Sequence, residues 1–522
     1  MLTEMVRLSY QHRAFYCYVI LSVWIFLLVA GMYKYMGVDE NNSFQVKPIS
    51  SDHPIREFSR HFKPDIKTKR IFKLCNPPDD INPGVEGKID SNLTLEGVFI
   101  FIRHGDRGPL AHIRNISTVN CAGDLKKNTI YESYKNFLDN ATLYYRSIWS
   151  QFLGPFHGFP MLPSNTKYCK IGELTTLGIG QLLKTGLLLK NAYFNKLNFS
   201  NNTITTNDIV IYSTRYRRTV QSAIALLYTF LNDDNDNNNN YQNFAKLTLK
   251  ESSSYTFCNN ECACPIADKY LKKFYKETGN RLKSHPAVGE LIKQSSKIVF
   301  EMPDQMKTTH PYNLRDALLT YICHGASLPC INNNSRQCIK SEHITGLFAY
   351  TEWESRLNIK SINRKKYGLL RAYGMLKNIV NHMVQMISES KPKIVLFSGH
   401  DKTLEYLSIA LGILSDNTIL PHYATRFIIE ICRTNNNNNI NNNNDANDYY
   451  FRVIVNGKDV TQTIPFCKFT NYYSASYIDK NNDGDYYRKE YKLCSIESII
   501  RQIHDDYFSP FNATNFKDAC TN

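Results

Sequence analysis

Gly97-Val98-Phe99-Ile100-Phe101-Ile102-Arg103-His104-Gly105-Asp106-Arg107-Gly108-Pro109 decides how the rest of the chain is read. Its first six residues form an apolar run, the pattern of a strand buried on both faces. The run ends in a histidine set between two arginines. Guanidinium forks match phosphate oxygens two at a time. A histidine held among them is a nucleophile for phosphorus, and fixed cations stabilise charge on a group in transfer. Taken alone, the heptapeptide also reads as a basic surface turn. The choice depends on whether the other parts of a site occur elsewhere.

Two such parts occur. Ile394-Val395-Leu396-Phe397 is a second apolar strand, closed by Ser398-Gly399-His400-Asp401. A departing alkoxide needs a proton, and a carboxyl beside a phosphate supplies it if burial or negative charge raises its pKa. Asp401 is the candidate acid, and on that reading it starts the reaction protonated. His400 is placed to bind a phosphate oxygen. An Asp here is equally a helix N-cap, because Leu404 to Leu414 reads as helix. The third part follows the strand-like run Ile209-Val210-Ile211-Tyr212. It is Ser213-Thr214-Arg215-Tyr216-Arg217-Arg218-Thr219, and a helix comes next with Val220, Ala223, Ile224, Leu227 and Phe230 on one face. Ligands of open α/β sheets bind at the carboxyl ends of strands, near helix N-termini. Three strand ends carrying Arg-His-Arg, Arg and His-Asp therefore form one constellation.

Arg-His-Gly-x-Arg-x-Pro, Ser-Thr-x-x-x-Arg-Thr and His-Asp, in this order, resemble the histidine acid phosphatase branch of the phosphoglycerate mutase-like superfamily. The resemblance implies a doubly wound α/β/α sandwich with an inserted helical cap, expected at about 115–205 and 243–390. It implies that His104 is the nucleophile that becomes phosphohistidine and Asp401 the proton donor. Arg103, Arg107, Arg218 and His400 are implied to hold the phosphate, without metal or cofactor. Gly172-Glu173-Leu174-Thr175-x-x-Gly178 resembles a further family motif, structural in role, leading into a helix through about Leu189. Gly108 fills a slot where a bulkier residue is common, and is expected to widen the pocket mouth.

Segments around Cys258, Cys262 and Cys264, around Cys323-His324 and Cys330, and around Cys520 are similar to those of the Golgi xylosyl phosphatases of this family. That similarity runs from about Phe72 to Cys520. It implies a phosphorylated sugar substrate, the 2-phosphate of xylose in the proteoglycan linkage tetrasaccharide. The alternatives are a broad-specificity acid phosphatase of lysosomal or secreted type and an inactive phospho-glycan binding protein. The intact His104 and Asp401 argue against the last.

Ala14 to Met32 is a run of nineteen uncharged residues, long enough to span a bilayer as a helix. Arg7 and Arg13 precede it, so the expected arrangement is a cytosolic tail (1–13), a transmembrane signal anchor (14–33), a lumenal stem (34–71) and a lumenal domain (72–522). Val29-Ala30-Gly31 leaves a cleaved signal peptide as the rival reading. Thirteen of the fourteen cysteines lie beyond the anchor. An oxidising compartment favours disulfides over metal binding at Cys258, Cys262 and Cys264, and an odd count leaves at least one thiol unpaired within the chain. Glycosylation sequons begin at Asn41, Asn92, Asn115, Asn140, Asn198, Asn201, Asn333 and Asn512.

Two asparagine-rich tracts, 232–240 and 435–447, are low in complexity and read as loops, the second inside a hairpin between Arg426–Cys432 and Tyr449–Val455. The formal net charge is +15, with only +1 of it in the first 33 residues. Such a surface attracts acidic substrates. No nucleic-acid motif accompanies it, so nucleic acid is not an expected partner. Runs such as Arg364-Lys365-Lys366 read either as part of a polyanion surface or as a solvated helix face.

Overall fold

The computed structural model describes residues 71–521, apart from 123–128, 164–166, 200–203, 233–236, 259–260, 302–309, 332–336, 416–417, 419, 436–447, 470–471 and 481–484. The expected tail and anchor, and the stem up to residue 70, lie outside the described residues. So does most of the second asparagine tract. Among the described residues no helix is long and apolar enough to cross a membrane.

The described residues form the strands β1 (Leu93–Arg103), β2 (Ile209–Thr214), β3 (Thr248–Ser252), β4 (Ile394–Gly399), β5 (Arg426–Thr434), β6 (Tyr449–Val455), β7 (Lys458–Asp459), β8 (Tyr473–Lys480) and β9 (Tyr486–Ser495). β1, β2, β4, β5 and β6 form on the apolar runs expected as strands; β3, β7, β8 and β9 carry no such run and are additions of the fold. The strands make one sheet in the order β3-β2-β4-β1-β5-β6-β9-β8, with β7 paired to β6. β1, β2, β3 and β4 run parallel; β5 turns antiparallel beside β1, and the remaining pairs are antiparallel. The fold is thus a mixed α/β sheet, parallel where the three motifs lie.

β1 shows why the sheet carries helices on both faces. Val98, Ile100 and Ile102 join a core with residues of the helices Thr176–Tyr193 and Arg217–Leu231. Phe99 and Phe101 point the other way, into a core with the helices Ile362–Glu389 and Asp401–Leu411. Alternation along a strand sends neighbouring side chains to opposite faces, and each face is covered. Phe101 and Phe397 stack with ring centres 4.5 Å apart, which extends the second core across β1 and β4.

A third core joins the helices Pro286–Val299, Pro311–Cys323 and Ser341–Lys360 with Cys75, Ile113, Val119 and Cys169. This is the helical cap. Within the segments expected as cap, 115–205 and 243–390, the helix Thr176–Tyr193, β3 and the helix Ile362–Glu389 instead belong to the sheet layers. Their apolar faces are complementary to the sheet, and periodicity alone does not say against which layer a helix packs.

Two other readings change with the fold, and the sequons gain a placement. The latter part of the first asparagine tract opens a helix, Asn237–Ala245. Arg364 faces inward, with Nε and Nη2 donating to Glu405 Oε1 at 2.9 and 2.6 Å. The sequon residues Asn92, Asn115, Asn140, Asn198 and Asn512 are all exposed.

Twelve of the thirteen described cysteines pair as Cys75–Cys323, Cys121–Cys169, Cys258–Cys262, Cys264–Cys520, Cys330–Cys338 and Cys467–Cys494. Cys75–Cys323 joins the start of the described chain to the cap, and Cys264–Cys520 joins its end to the helix Pro265–Lys283. Cross-links that close loops this long remove much chain entropy from the unfolded state. Cys432 on β5 is the one unpaired cysteine among the described residues, and burial raises its thiol pKa. Peptide mapping of the 71–522 segment should therefore find Cys432 as its one alkylatable thiol, reacting only after denaturation. Rapid labelling in the native protein would contradict the burial.

Candidate active site

Register assembles the site. β1 pairs β4 with Arg103 opposite Gly399, and β2 pairs β4 with Ser213 opposite Ser398. The three motifs therefore leave the sheet at one edge. His104 follows β1, His400 follows β4, and Arg218 lies in the first turn of the helix after β2. Helix N-termini favour negative charge, so this edge suits an anion before any side chain is counted.

His104 is almost wholly buried, and its Nδ1 lies 2.8 Å from the Gly105 carbonyl oxygen. A carbonyl only accepts, so Nδ1 carries the proton and Nε2 keeps its lone pair. Burial, then Arg218, Arg103, His400 and Arg107, hold its pKa well below the ordinary histidine value. These surroundings thus favour the neutral form of His104. His400 stands edge-on to it with ring centres 5.4 Å apart, and its Nε2 is tethered to Thr214 Oγ1 at 2.9 Å. Burial and Arg218 bring His400 down to about 3.

Each arginine is pinned by a neighbour. Arg103 donates from Nη1 to the Pro421 carbonyl at 2.5 Å, and its guanidinium carbon sits 4.2 Å from the centre of the Tyr423 ring. Arg107 makes a two-point pair with Asp316, at 3.1 and 2.9 Å. Burial opposes charge on Arg107, but Asp316 more than compensates and raises its pKa. Arg218 donates to the Gly172 carbonyl at 3.3 Å and lies 4.5 Å over the Tyr216 ring. Burial and then Arg107 pull Arg218 down to about 10. The buried Nε atoms of Arg103, Arg107 and Arg218 all lack a hydrogen-bond partner. Three donors of like charge with unspent capacity, around a neutral histidine, are the donor set for a tetrahedral oxyanion.

Asp401 is the first residue of its helix, with His400 as N-cap. Its side chain is half-exposed and one carboxylate oxygen lies 3.9 Å from Arg103 Nη2. Burial pushes the carboxyl up, but Arg103, Lys402 and His400 bring it down to about 2. The expectation that Asp401 starts protonated is thus overturned for the free pocket, because adjacent cations outweigh desolvation.

The loop is held from below by contacts that the motifs do not announce. The Asp106 carboxylate accepts from Thr175 Oγ1 at 2.6 Å and lies 2.8 Å from His324 Nε2, and its backbone N–H donates to Gln181 Oε1 at 2.7 Å. Thr175 also caps the helix Thr176–Tyr193. This gives the Gly172–Gly178 motif its structural role. Gly108 does not widen the mouth. A Cβ there would meet the Lys170 carbonyl oxygen at 2.0 Å, so the missing side chain admits backbone. The structure brings together all six expected residues, His104, Asp401, Arg103, Arg107, Arg218 and His400. It adds Asp316, Tyr423, Thr214 and the Asp106–His324 pair. Asp316, Tyr423 and His324 sit in segments with no chemical signature of their own, so no sequence signal pointed to the first two. Cys323-His324 was noticed only for its cysteine.

A sheet edge of this kind, with a neutral histidine among three arginines, defines a phosphate-transferring enzyme. The chain belongs to the histidine phosphatase superfamily (branch 2), whose family model matches residues 94–456, and it is a phosphomonoesterase. It is similar to 2-phosphoxylose phosphatase 1 of Xenopus tropicalis, 28% identical over 450 residues that cover 85% of this chain and 81% of the relative. The human protein of the same name is 26% identical over 452 residues, covering 85% of each chain. A probable acid phosphatase of Dictyostelium discoideum is 24% identical over 471 residues, 86% of this chain and 85% of the relative.

Gly178 tests how the loop is seated. A Cβ there would meet the Asp106 carbonyl oxygen at 2.2 Å. Gly178→Ala should cost about 1–3 kcal/mol of stability by overpacking and lower kcat/KM by displacing His104. Parent-like thermal unfolding and kinetics would show that the helix does not seat the loop.

Proposed function

We propose that this phosphatase acts through a phosphohistidine at His104, and that its substrate is the 2-phosphate of xylose in the glycosaminoglycan–protein linkage tetrasaccharide. The observation that carries the mechanism is a buried histidine whose neutral form is favoured by burial and by Arg218, Arg103 and Arg107, arginines whose Nε–H groups have no partner among the described residues. His104 Nε2 attacks phosphorus in line with the departing alkoxide. Arg103, Arg107 and Arg218 hold the phosphoryl oxygens, with His400 completing the ring, and stabilise the charge that spreads over them in the transition state. Asp401, at the pocket mouth, gives a proton to the leaving oxygen. In the second step its carboxylate takes a proton from the water that attacks phosphohistidine, which frees His104, and that proton leaves with the departing phosphate, so Asp401 returns to the carboxylate.

The proton on Asp401 has a physical source. Asp401 is ionised in the free pocket, whereas a phosphomonoester monoanion still carries one proton below its second pKa of about 6. Binding the ester beside Asp401 neutralises part of the arginine field and raises the carboxyl, so the proton passes to Asp401 within the complex. The alkaline fall in kcat/KM then follows the substrate. Activity is present below the ester's second pKa and is lost as pH rises through it. Measured across esters of different acidity, that limb should move with the ester. A limb fixed at one pH for all esters would assign it to a group on the enzyme.

The substrate rests on the relatives named 2-phosphoxylose phosphatase 1. The reading as a broad-specificity acid phosphatase has support in the Dictyostelium relative. We further propose that residues 14–33 anchor the protein in the Golgi membrane, with the catalytic domain (72–522) in the lumen. Six disulfides and five exposed sequon asparagines support an oxidising, secretory compartment.

Phosphate release by the 72–522 segment should strongly favour a 2-phosphoxylose linkage oligosaccharide over an aryl phosphate. Equal kcat/KM on both would leave the broad acid phosphatase. His104→Ala should abolish turnover of each. Asp401→Asn should slow the sugar ester about a hundredfold or more, the usual worth of a general acid, and an activated aryl phosphate far less. Equal losses on the two substrates would remove Asp401 from the acid's role.

A further inference from the structure

Beside the phosphate pocket lies an open cleft that shares Arg103 and Asp401 with it. Arg103, Asp401, Asp316 and Tyr423 form its inner wall, and the cap residues Tyr312, Arg315 and Leu319 face it with Leu420 and His422. Asp401 is the group that meets the leaving oxygen, so the cleft that contains Asp401 receives the alcohol part of the ester.

Arg315 is the unusual element of this wall. It is buried to 7% exposure, yet it forms no ion pair among the described residues. Nη1 donates to Thr351 Oγ1 at 2.9 Å, and the guanidinium lies 4.8 Å over the Phe348 ring. Burial opposes its charge, Glu352 and then Tyr312 favour it, and Arg103 adds a smaller repulsion. Thr351 and Phe348 fix the fork through neutral contacts. Arg107, by contrast, is held in a two-point pair by Asp316. His422 lines the same cleft; burial, then Arg103 and Arg315, lower its pKa, against a hydrogen bond to the Lys73 backbone. A desolvated cation that opens on a ligand cleft gains from a ligand that carries further counter-charge.

We propose that Arg315 forms a second anion subsite that recognises an acidic group on the leaving alcohol, a carboxylate or a further phosphate. This rests on the phosphomonoesterase reading of the neighbouring pocket. The subsite is a specificity device: it draws binding from a part of the substrate remote from phosphorus. It predicts that esters of neutral alcohols are poorer substrates than esters of acidic ones of matched leaving-group acidity.

The 72–522 segment would be assayed on phenyl phosphate, 3-carboxyphenyl phosphate and 1,3-phenylene bisphosphate. The meta carboxylate leaves the phenol's acidity close to that of phenol itself. A charge-assisted hydrogen bond is worth about tenfold or more, so kcat/KM for at least one acidic ester should exceed that for phenyl phosphate by that factor. Which ester gains more distinguishes carboxylate from phosphate recognition. The ratio of acidic to neutral ester should collapse in Arg315→Gln and persist in Arg315→Lys. Leu420→Glu places a negative charge in the cleft without touching the buried fork, and should reduce the ratio even if Arg315→Gln fails to fold. Parent enzyme that hydrolyses all three esters equally, or an unchanged ratio in Arg315→Gln or Leu420→Glu, would overturn the subsite. Failure to hydrolyse phenyl phosphate at all would instead strike the phosphomonoesterase reading.

Discussion

Mutual repulsion among three guanidinium groups is the constraint around which this structure is organised. Arg103, Arg107 and Arg218 converge on one histidine in a pocket where water screens little. Each is therefore anchored to something that cannot follow it if it moves. Arg107 is tied to Asp316, Arg103 to the Pro421 carbonyl and the Tyr423 ring, and Arg218 to the Gly172 carbonyl and the Tyr216 ring. A cap helix supplies Asp316, so the cap is part of the phosphate pocket as well as its cover. The repulsion that remains is useful, because it is relieved by a bound phosphoryl group.

The same field adds to burial in driving His104 and His400 towards the neutral form, which keeps the attacking lone pair available. It also drives Asp401 towards the carboxylate, the wrong form for an acid. The substrate resolves that conflict, since it brings both negative charge and a proton. On the proposed mechanism, a preference for acid pH would follow from the protonation of the ester as well as from the enzyme's own groups.

Below the pocket, backbone fit replaces electrostatics. Gly105, Gly108 and Gly178 lie where a Cβ would come within 2.3 Å of a carbonyl oxygen on the facing segment. The His104 loop and the start of the helix Thr176–Tyr193 are thereby in direct contact, and Thr175 and Asp106 lock them with short hydrogen bonds. The Asp106–His324 contact carries this support to the end of a cap helix, next to the Cys75–Cys323 bridge. Loop, helix and cap are one mechanical unit.

The sequence by itself determined the strands that carry the motifs, the chemistry at their ends and the six residues that meet there. Those signals are local: apolar runs of strand length, and charged residues placed where a run stops. It also announced an unpaired cysteine through an odd count, though only the fold assigns it to Cys432. The tertiary structure decided what depends on packing between distant segments. It packed the helix Thr176–Tyr193 against the sheet and placed β3 within it rather than in the cap, filled the space beside Gly108 with the Lys170 backbone, and turned Arg364 inward to Glu405. It brought Asp316, Tyr423 and Arg315 to the pocket from positions more than 200 residues from His104 in the chain. It also reversed the expected protonation of Asp401. A carboxyl's pKa is set by the charges around it, and a one-dimensional pattern does not contain those distances.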